Sequence, residues 1–143
     1  MSFELLPAAI DKLQKQIPVA VAKATNEIAF EILRVVASNT PVDTSKAISN
    51  WRVSLHSTFA GDVEAHYEGV HGSTKELSVQ RTIDLGKQRL SNRIVGTEIH
   101  IFNNADYIDG LNDGTISRQP GLFVQKALLA GKIKIQKTQI RLE

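Results

Sequence analysis

Apolar residues recur every three or four positions along the N-terminal part of the chain, which is the spacing of one face of an α-helix. The pattern predicts a helix over residues 5–38, and Pro18 lies inside it. Because proline removes a backbone donor and clashes with the preceding turn, we expect a kink or break near Ile17, followed by a longer helix over 18–38 that ends before Pro41. The stripe that should face the core consists of Ile10, Leu13, Ile17, Val21, Ala24, Ile28, Ile32 and Val35.

Two later segments alternate between apolar and polar residues, which is the pattern of a half-buried β-strand. The first covers 51–59 and places its apolar side chains on one face: Trp51, Val53 and Leu55. The second covers 94–102 and ends at two asparagines. Because two strands alone are marginally stable, we expect either further strands within 60–72 or a strand supplied by the C-terminal segment.

Short helices are predicted between these strands. Asp43 or Thr44 can cap a helix at about 45–50. A polar helix begins near Ser73 and ends near Leu90, and a glycine within it should weaken it. Its few apolar contacts are expected at Leu77, Ile83 and Leu90.

The C-terminal part of the chain predicts two more helices and an extended segment. A short helix covers 105–112, with Asp113-Gly114 as its exit. A last helix covers 120–130, with Gly131 as its C-cap. Residues 132–142 alternate lysine and isoleucine at first, which favours an exposed strand or an arm that pairs with a neighbour. The last helix should bury Leu122, Val124, Ala127 and Leu128.

These elements indicate an α+β fold, with the long N-terminal helix packed on a small antiparallel sheet and further short helices. The 143 residues fit a single domain over 1–130 and a basic C-terminal arm over 131–143. The absence of cysteine excludes disulfides and thiolate metal sites, and apolar stretches broken by charges exclude a membrane span. The N-terminus lacks the pattern of a signal peptide.

The net charge of +2 is too small to predict a nucleic-acid partner, but its distribution is uneven. Basic residues follow one another without an acid near the C-terminus: Lys126, Lys132, Lys134, Lys137 and Arg141. Such residues neutralise phosphates without reading sequence, so a DNA-binding protein acting through this arm is one interpretation. A solvated arm or one that pairs with a partner is the other, because no aromatic side chain is available there for base stacking.

Enzymatic interpretations rest on short matches. Asp43-Thr44-Ser45 is similar to the turn that holds one carboxylate of an aspartic protease, which would here be a dimer with the second Asp43 supplied by another copy. Arg93-Ile94-Val95-Gly96 is similar to a segment that such folds place nearby. That turn should follow an apolar strand, whereas here it follows a helix, so a helix cap is the simpler interpretation. The spacings of His66, Glu68 and His71 fit no single helix or strand face for a metal. Trp51 could serve an interface, but a core anchor is expected.

Two segments, Thr40 to Trp51 and Ile99 to Val124, carry motifs that together resemble the tail-completion and neck protein family of tailed bacteriophages. The first runs from Thr40 to Trp51, where Ser45 stands in place of the usual glycine, and the second runs from Ile99 to Val124, where Asn112-Asp113-Gly114 departs from the usual Glu-x-Gly. Their order and spacing and the long helix before them match the family. The matching positions are Pro41, Asp43, Thr44, Trp51, Asn103, Asn104, Tyr107, Leu111, Gly114, Ser117, Gln119 and Pro120.

The resemblance implies a structural virion protein without catalytic chemistry, cofactor or membrane partner. Such proteins form a sixfold or twelvefold ring at the head–tail interface, as a terminator, completion or neck component. They are assembled in the bacterial cytoplasm, contact the connector or adaptor and the tail tube or sheath, and surround the channel for genomic DNA. Head-to-tail contacts that close generate rings, so we expect the arm to contact a neighbour through Lys132, Lys134, Lys137 and Arg141.

Overall fold

The computed structural model describes residues 6–42, 44–55, 57–58, 60–115 and 121–138, with only the backbone over 6–14. The fold is α+β, as predicted, with a long N-terminal helix, short helices and a small antiparallel sheet. Its elements in chain order are α1 (Leu6–Asn39), α2 (Lys46–Ser49), β1 (Arg52–Ser54), α3 (Lys75–Ser91), β2 (His100–Phe102), α4 (Ile108–Asp113) and α5 (Phe123–Lys137).

Helix α1 continues through Pro18, so the predicted break into two helices is wrong. A proline removes one backbone donor from the hydrogen-bond ladder, and the helix on both sides supplies all the others. The Pro18 ring is exposed, so no neighbouring element has to adapt to it.

The buried face of α1 is shifted from the predicted stripe. Its centre consists of Ala29, Leu33, Val36 and Ala37, while Ile28, Ile32 and Val35 are half-buried beside it. Ile17 and Val21, which were predicted to face the core, are exposed. The shift arises because α5 and α3 both pack on α1, so the buried arc is wide and centred between them.

Helix α3 packs through small residues one turn apart, and the predicted apolar contacts are only partly correct. Its buried residues are Ser78, Thr82, Gly86 and Leu90. Leu77 is 57% exposed, and the helix begins at Lys75, after Thr74 instead of Ser73. Gly86 permits the close approach, since a Cβ added there would lie 2.1 Å from Leu33 Cδ2 on α1.

The sheet is smaller than predicted. Strands β1 and β2 pair antiparallel, with Val53 opposite Ile101. The pattern over 94–99 does not form a strand, because the chain turns there at Gly96 with a φ of +87°. The described residues contain no third strand, and the segment 60–72 is a loop.

The C-terminal helix is longer than predicted. Helix α4 ends at Gly114 in the left-handed conformation, as the sequence indicated. Helix α5, however, passes through Gly131, which is buried against Ile32 instead of capping the helix. The expected strand from 132 is therefore wrong as far as Lys137, and residues 139–143 lie outside the described part. The division into a body over 1–130 and an arm remains a prediction.

We expect Gly86→Ala to destabilise the fold by about 1–3 kcal/mol, because the added methyl collides with a leucine that is fully buried. At an exposed helix interior the same change stabilises by about 1 kcal/mol. Urea unfolding of Gly86→Ala, Leu33→Ala and the double variant measures the free energy of unfolding that each change removes. The double variant should lose less stability than the sum of the single ones; strict additivity would contradict the packing.

Candidate functional site

The first family-like segment, Thr40 to Trp51, connects buried elements of the fold. The Trp51 indole Nε1–H donates to Thr40 Oγ1 at 2.8 Å, and the Thr40 hydroxyl donates to the Val36 carbonyl at 2.6 Å. Trp51 is buried and meets Phe123 edge to face, with ring centroids 6.0 Å apart. The interpretation of Trp51 as a core anchor is therefore confirmed, and the tryptophan ties α1 to α5.

The predicted cap of α2 at Thr44 is wrong, and the alternative cap at Asp43 is not tested. Ser45 occupies the N-cap position and makes no side-chain cap bond, whereas Thr44 is exposed and Asp43 lies outside the described residues. The Ser45 hydroxyl instead contacts that of Thr74, which precedes α3. Buried polar contacts therefore hold this segment against α3, where a local cap was expected.

The four successive carbonyls from Ser45 to Ile48 each accept a side-chain hydrogen bond. Two donors are local, since Ser49 Oγ donates to Ser45 and Asn50 Nδ2 to Lys46. The other two come from distant segments: Asn103 Nδ2 donates to Ala47 at 2.7 Å, and Thr82 Oγ1 donates to Ile48 at 3.2 Å. Helix α2 is thus enclosed by α3 and by the turn after β2.

Asn50 fixes the loop that follows β1. Its Oδ1 accepts from the Val63 N–H at 2.8 Å, and its Nδ2 donates to the Val63 carbonyl at 2.9 Å. Beside it, Lys46 Nζ lies 2.9 Å from Asp62 Oδ2. The hydrogen bond with Lys46 lowers the pKa of the Asp62 carboxyl, so the pair is charged at neutral pH.

The second family-like segment meets the first. Asn103 accepts the Ala105 N–H at 3.0 Å while it donates to α2, and Asn104 donates to the Gly61 carbonyl at 2.9 Å. Tyr107 precedes α4 and is partly buried, and burial raises the pKa of its phenol. The structure therefore brings the two segments together, and their asparagines act as structural bridges.

The turn after α4 also has a structural role. The Leu111 carbonyl accepts from Gly121 N–H at 3.0 Å, and Asn112 Oδ1 accepts from Val124 N–H at 3.1 Å. The carboxylate of Asp113 accepts the Thr115 N–H, which lowers its pKa. Helix α4 is thereby fastened to the start of α5. The remaining predicted positions lie outside the described residues: Ser117, Gln119 and Pro120.

The geometry favours neither the aspartic-protease interpretation nor the metal-site interpretation. Arg93 Nη1 donates to the Ala22 carbonyl at 3.3 Å, so the Arg93–Gly96 segment lies about 25 Å along α1 from the end that precedes Asp43. Across the described ranges, no three His, Asp or Glu side chains converge as a metal site would require. Burial and then the Arg81 charge lower the pKa of His66, and that charge would repel a cation.

Helix α5 carries an exposed surface of lysines and apolar side chains. Lys126, Lys132 and Lys137 are exposed there, and Lys134 is half-buried. The pKa of Glu31 on α1 is lowered chiefly by its hydrogen bond with Arg34, and the Lys134 charge contributes. Lys134 therefore faces its own chain, and Arg141 lies outside the described part. Apolar side chains are exposed between the lysines: Leu128, Leu129, Ile133 and Ile135.

Sequence reasoning missed part of this surface. Leu128 was expected in the core but is 55% exposed, because Phe123, Ala127 and Gly131 form the inner face of α5. A helical projection that continued past Gly131 would have shown this inner face. None of the described helices has the combination of length and apolarity needed to cross a bilayer.

Comparison with known proteins gives one family. The family model described as "Bacteriophage HK97-gp10, putative tail-component" matches residues 5–114. No curated protein and no solved structure matches the chain significantly. The match includes both family-like segments up to Gly114 and excludes α5.

We expect Thr40→Val to destabilise the fold by about 1–3 kcal/mol, because it leaves the buried Trp51 N–H without an acceptor. Thr25→Val is the matched control, since Thr25 Oγ1 makes the same bond to a carbonyl four residues earlier but is exposed. Urea unfolding followed by tryptophan fluorescence compares the two. Equal losses would show that the Trp51 hydrogen bond contributes nothing.

Proposed function

The chain belongs to the HK97-gp10-like family of bacteriophage tail components, and on this premise we propose that it forms a ring at the head–tail interface of the virion. The ring completes the tail or forms part of the neck, and it joins the tail to the head-side connector around the DNA channel. The observation that carries the proposal is the family match over residues 5–114.

The described surface is compatible with assembly into a ring. A ring requires each subunit to present two different surfaces, one for each neighbour. Exposed apolar side chains lie on α5 beside its lysines, and further ones lie at Ile17 and Val19 on α1. Contiguous exposed apolar side chains are typical of interaction sites, whereas single ones are ordinary.

The proposed partners follow from the position in the virion. They are further copies of this chain in a sixfold or twelvefold ring, the connector or adaptor, and the tail-tube or sheath protein. Assembly takes place in the bacterial cytoplasm. The role is structural and non-enzymatic, and the candidate residues of α2 and α4 support it as scaffold residues.

Binding of DNA is a second candidate function, favoured by the exposed lysines of α5. Phosphate contacts of this kind are independent of sequence and weaken steeply with salt. A high affinity of the isolated chain for duplex DNA, lost on raising salt, would favour this candidate. The ring proposal needs only weak, non-specific contact between these lysines and DNA in the lumen.

Deletion of the gene from its phage should give DNA-filled heads and tails that are not joined, because the ring between them is missing. Electron microscopy of the lysate shows the particles, and the chain supplied in trans should restore joining. Quantitative mass spectrometry of wild-type particles should give a small fixed number of copies per virion. Intact, infectious particles without the chain would overturn the proposal.

A further inference from the structure

One end of the molecule is basic and apolar. The last turns of α5 expose Lys132 and Lys137 together with Ile133 and Ile135. Helix α5 runs antiparallel to α1, since its first residue contacts Trp51 after the end of α1 and Gly131 contacts Ile32 further back. These last turns therefore point toward the N-terminal half of α1.

Further exposed apolar residues lie at the same end. Val19 on α1 is 63% exposed, and Ile17 and Val21 are exposed beside it. The loop after α3 joins them, because Arg93 donates to Asn26 Oδ1 at 3.0 Å and to the Ala22 carbonyl, and Ile94 next to it is 76% exposed. We call this surface the basic-apolar end; the members on which the argument depends are Val19, Ile94, Lys132, Ile133, Ile135 and Lys137.

The opposite end of the molecule is acidic. Asp62 and Glu64 are both exposed, and both raise the pKa of Lys46, Asp62 chiefly through its hydrogen bond. Tyr107 lies near the same lysine. Helix α4 begins directly after Tyr107, and the carboxylates flanking this tyrosine are exposed. We call this surface the acidic end; its exposed carboxylates are Asp62, which is paired with Lys46, and Glu64, Asp106 and Asp109.

The two ends cannot meet within one chain. The start of α5 is fastened to α4 through Val124 and Asn112, and Lys137 lies thirteen residues further along the same helix. At 1.5 Å per residue this places Lys137 about 20 Å from the junction, on the side away from α4. A second copy of the chain can bring the opposite charges together.

We propose that neighbouring subunits contact head to tail, with the basic-apolar end of one copy seated on the acidic end of the next. The charges select the partner and fix the register, and the exposed isoleucines leave water on contact. Because the contact joins two different surfaces, each copy keeps one free end, and the series closes into a ring when the rotations between neighbouring copies add up to a full turn. This inference rests on the proposed ring function and names the surfaces that build the ring.

Reciprocal charge reversal tests the contact in the phage that lacks the gene, complemented by variants expressed in trans. The basic-end variant carries Lys132→Glu and Lys137→Glu, and the acidic-end variant carries Glu64→Lys and Asp106→Lys. Either alone places like charges opposite each other and should lower the yield of infectious particles by roughly tenfold or more. All four residues are exposed, so urea unfolding should show unchanged stability.

Restoration of infectivity shows whether the two ends contact each other. The chain that combines all four changes should recover infectivity, because every interface again pairs opposite charges. Co-expression of the two single-end variants should also recover it, since each altered end then meets the other variant's altered end. Arg81→Glu is the matched charge-reversal control, since Arg81 is exposed on α3 outside both ends, and it should leave the yield unchanged.

The outcomes distinguish the contact from the ring itself. If the chain is present in virions at fixed copy number but neither combination restores infectivity, the head-to-tail contact is wrong while the proposed function stands. Loss of duplex DNA binding by the basic-end variant without restoration would assign the lysines to DNA instead. Absence of the chain from virions would overturn the proposed function and with it the contact.

Discussion

The fold depends on the hydrogen bonding of α2, a helix of four residues held inside the molecule. A short helix has almost no internal hydrogen bonds, so nearly all its polar groups need partners from elsewhere. An unsatisfied buried carbonyl costs about 1–3 kcal/mol. The carbonyls of Ser45, Lys46 and Ile48 accept backbone N–H groups of residues 49–51, whereas that of Ala47 accepts from Asn103. Asn103 and Thr82 donate to α2 from distant parts of the chain, so they hold the turn after β2 and helix α3 against it.

The family-like residues and the exposed surface have different roles. Trp51, Asn103 and Gly114 are internal, where they close turns and join helices. The family match ends at Gly114, although α5 after it packs along α1. The matched part of the chain therefore carries the architecture, while the exposed lysines of α5 lie beyond it. Related chains could keep this scaffold and differ in the surface they present to neighbours.

The sequence predicts features that depend on local backbone chemistry. The existence of α1, the burial of Trp51 and the exit at Gly114 follow from periodicity, an amphipathic side chain and the freedom of glycine at positive φ. In the described part of the first alternating segment, β1 and its buried Val53 also agree with the pattern.

Features decided by contacts between distant residues could not be predicted in this way. Gly86 and Gly131 look like helix-weakening or helix-ending residues, yet each lies where another helix approaches closely. Alternating lysine and isoleucine after Gly131 matches a strand, but packing of the preceding turns on α1 keeps α5 helical as far as Lys137. The family resemblance supplied the function, which no single residue of the described part reveals.

Pro18 makes one turn of α1 easier to bend than the rest of the helix. The helix has 34 residues, a length of about 51 Å. Helices α3 and α5 pack on it, and Arg93 in the loop after α3 contacts it at Ala22. The missing backbone hydrogen bond at Pro18 lies just outside the part of α1 that packs on other elements. The helix therefore bends most easily at this turn. Bending strain applied to the N-terminal segment would concentrate there. The packed part of the subunit would keep its shape while the turns of α1 before Pro18 changed direction to fit neighbouring proteins.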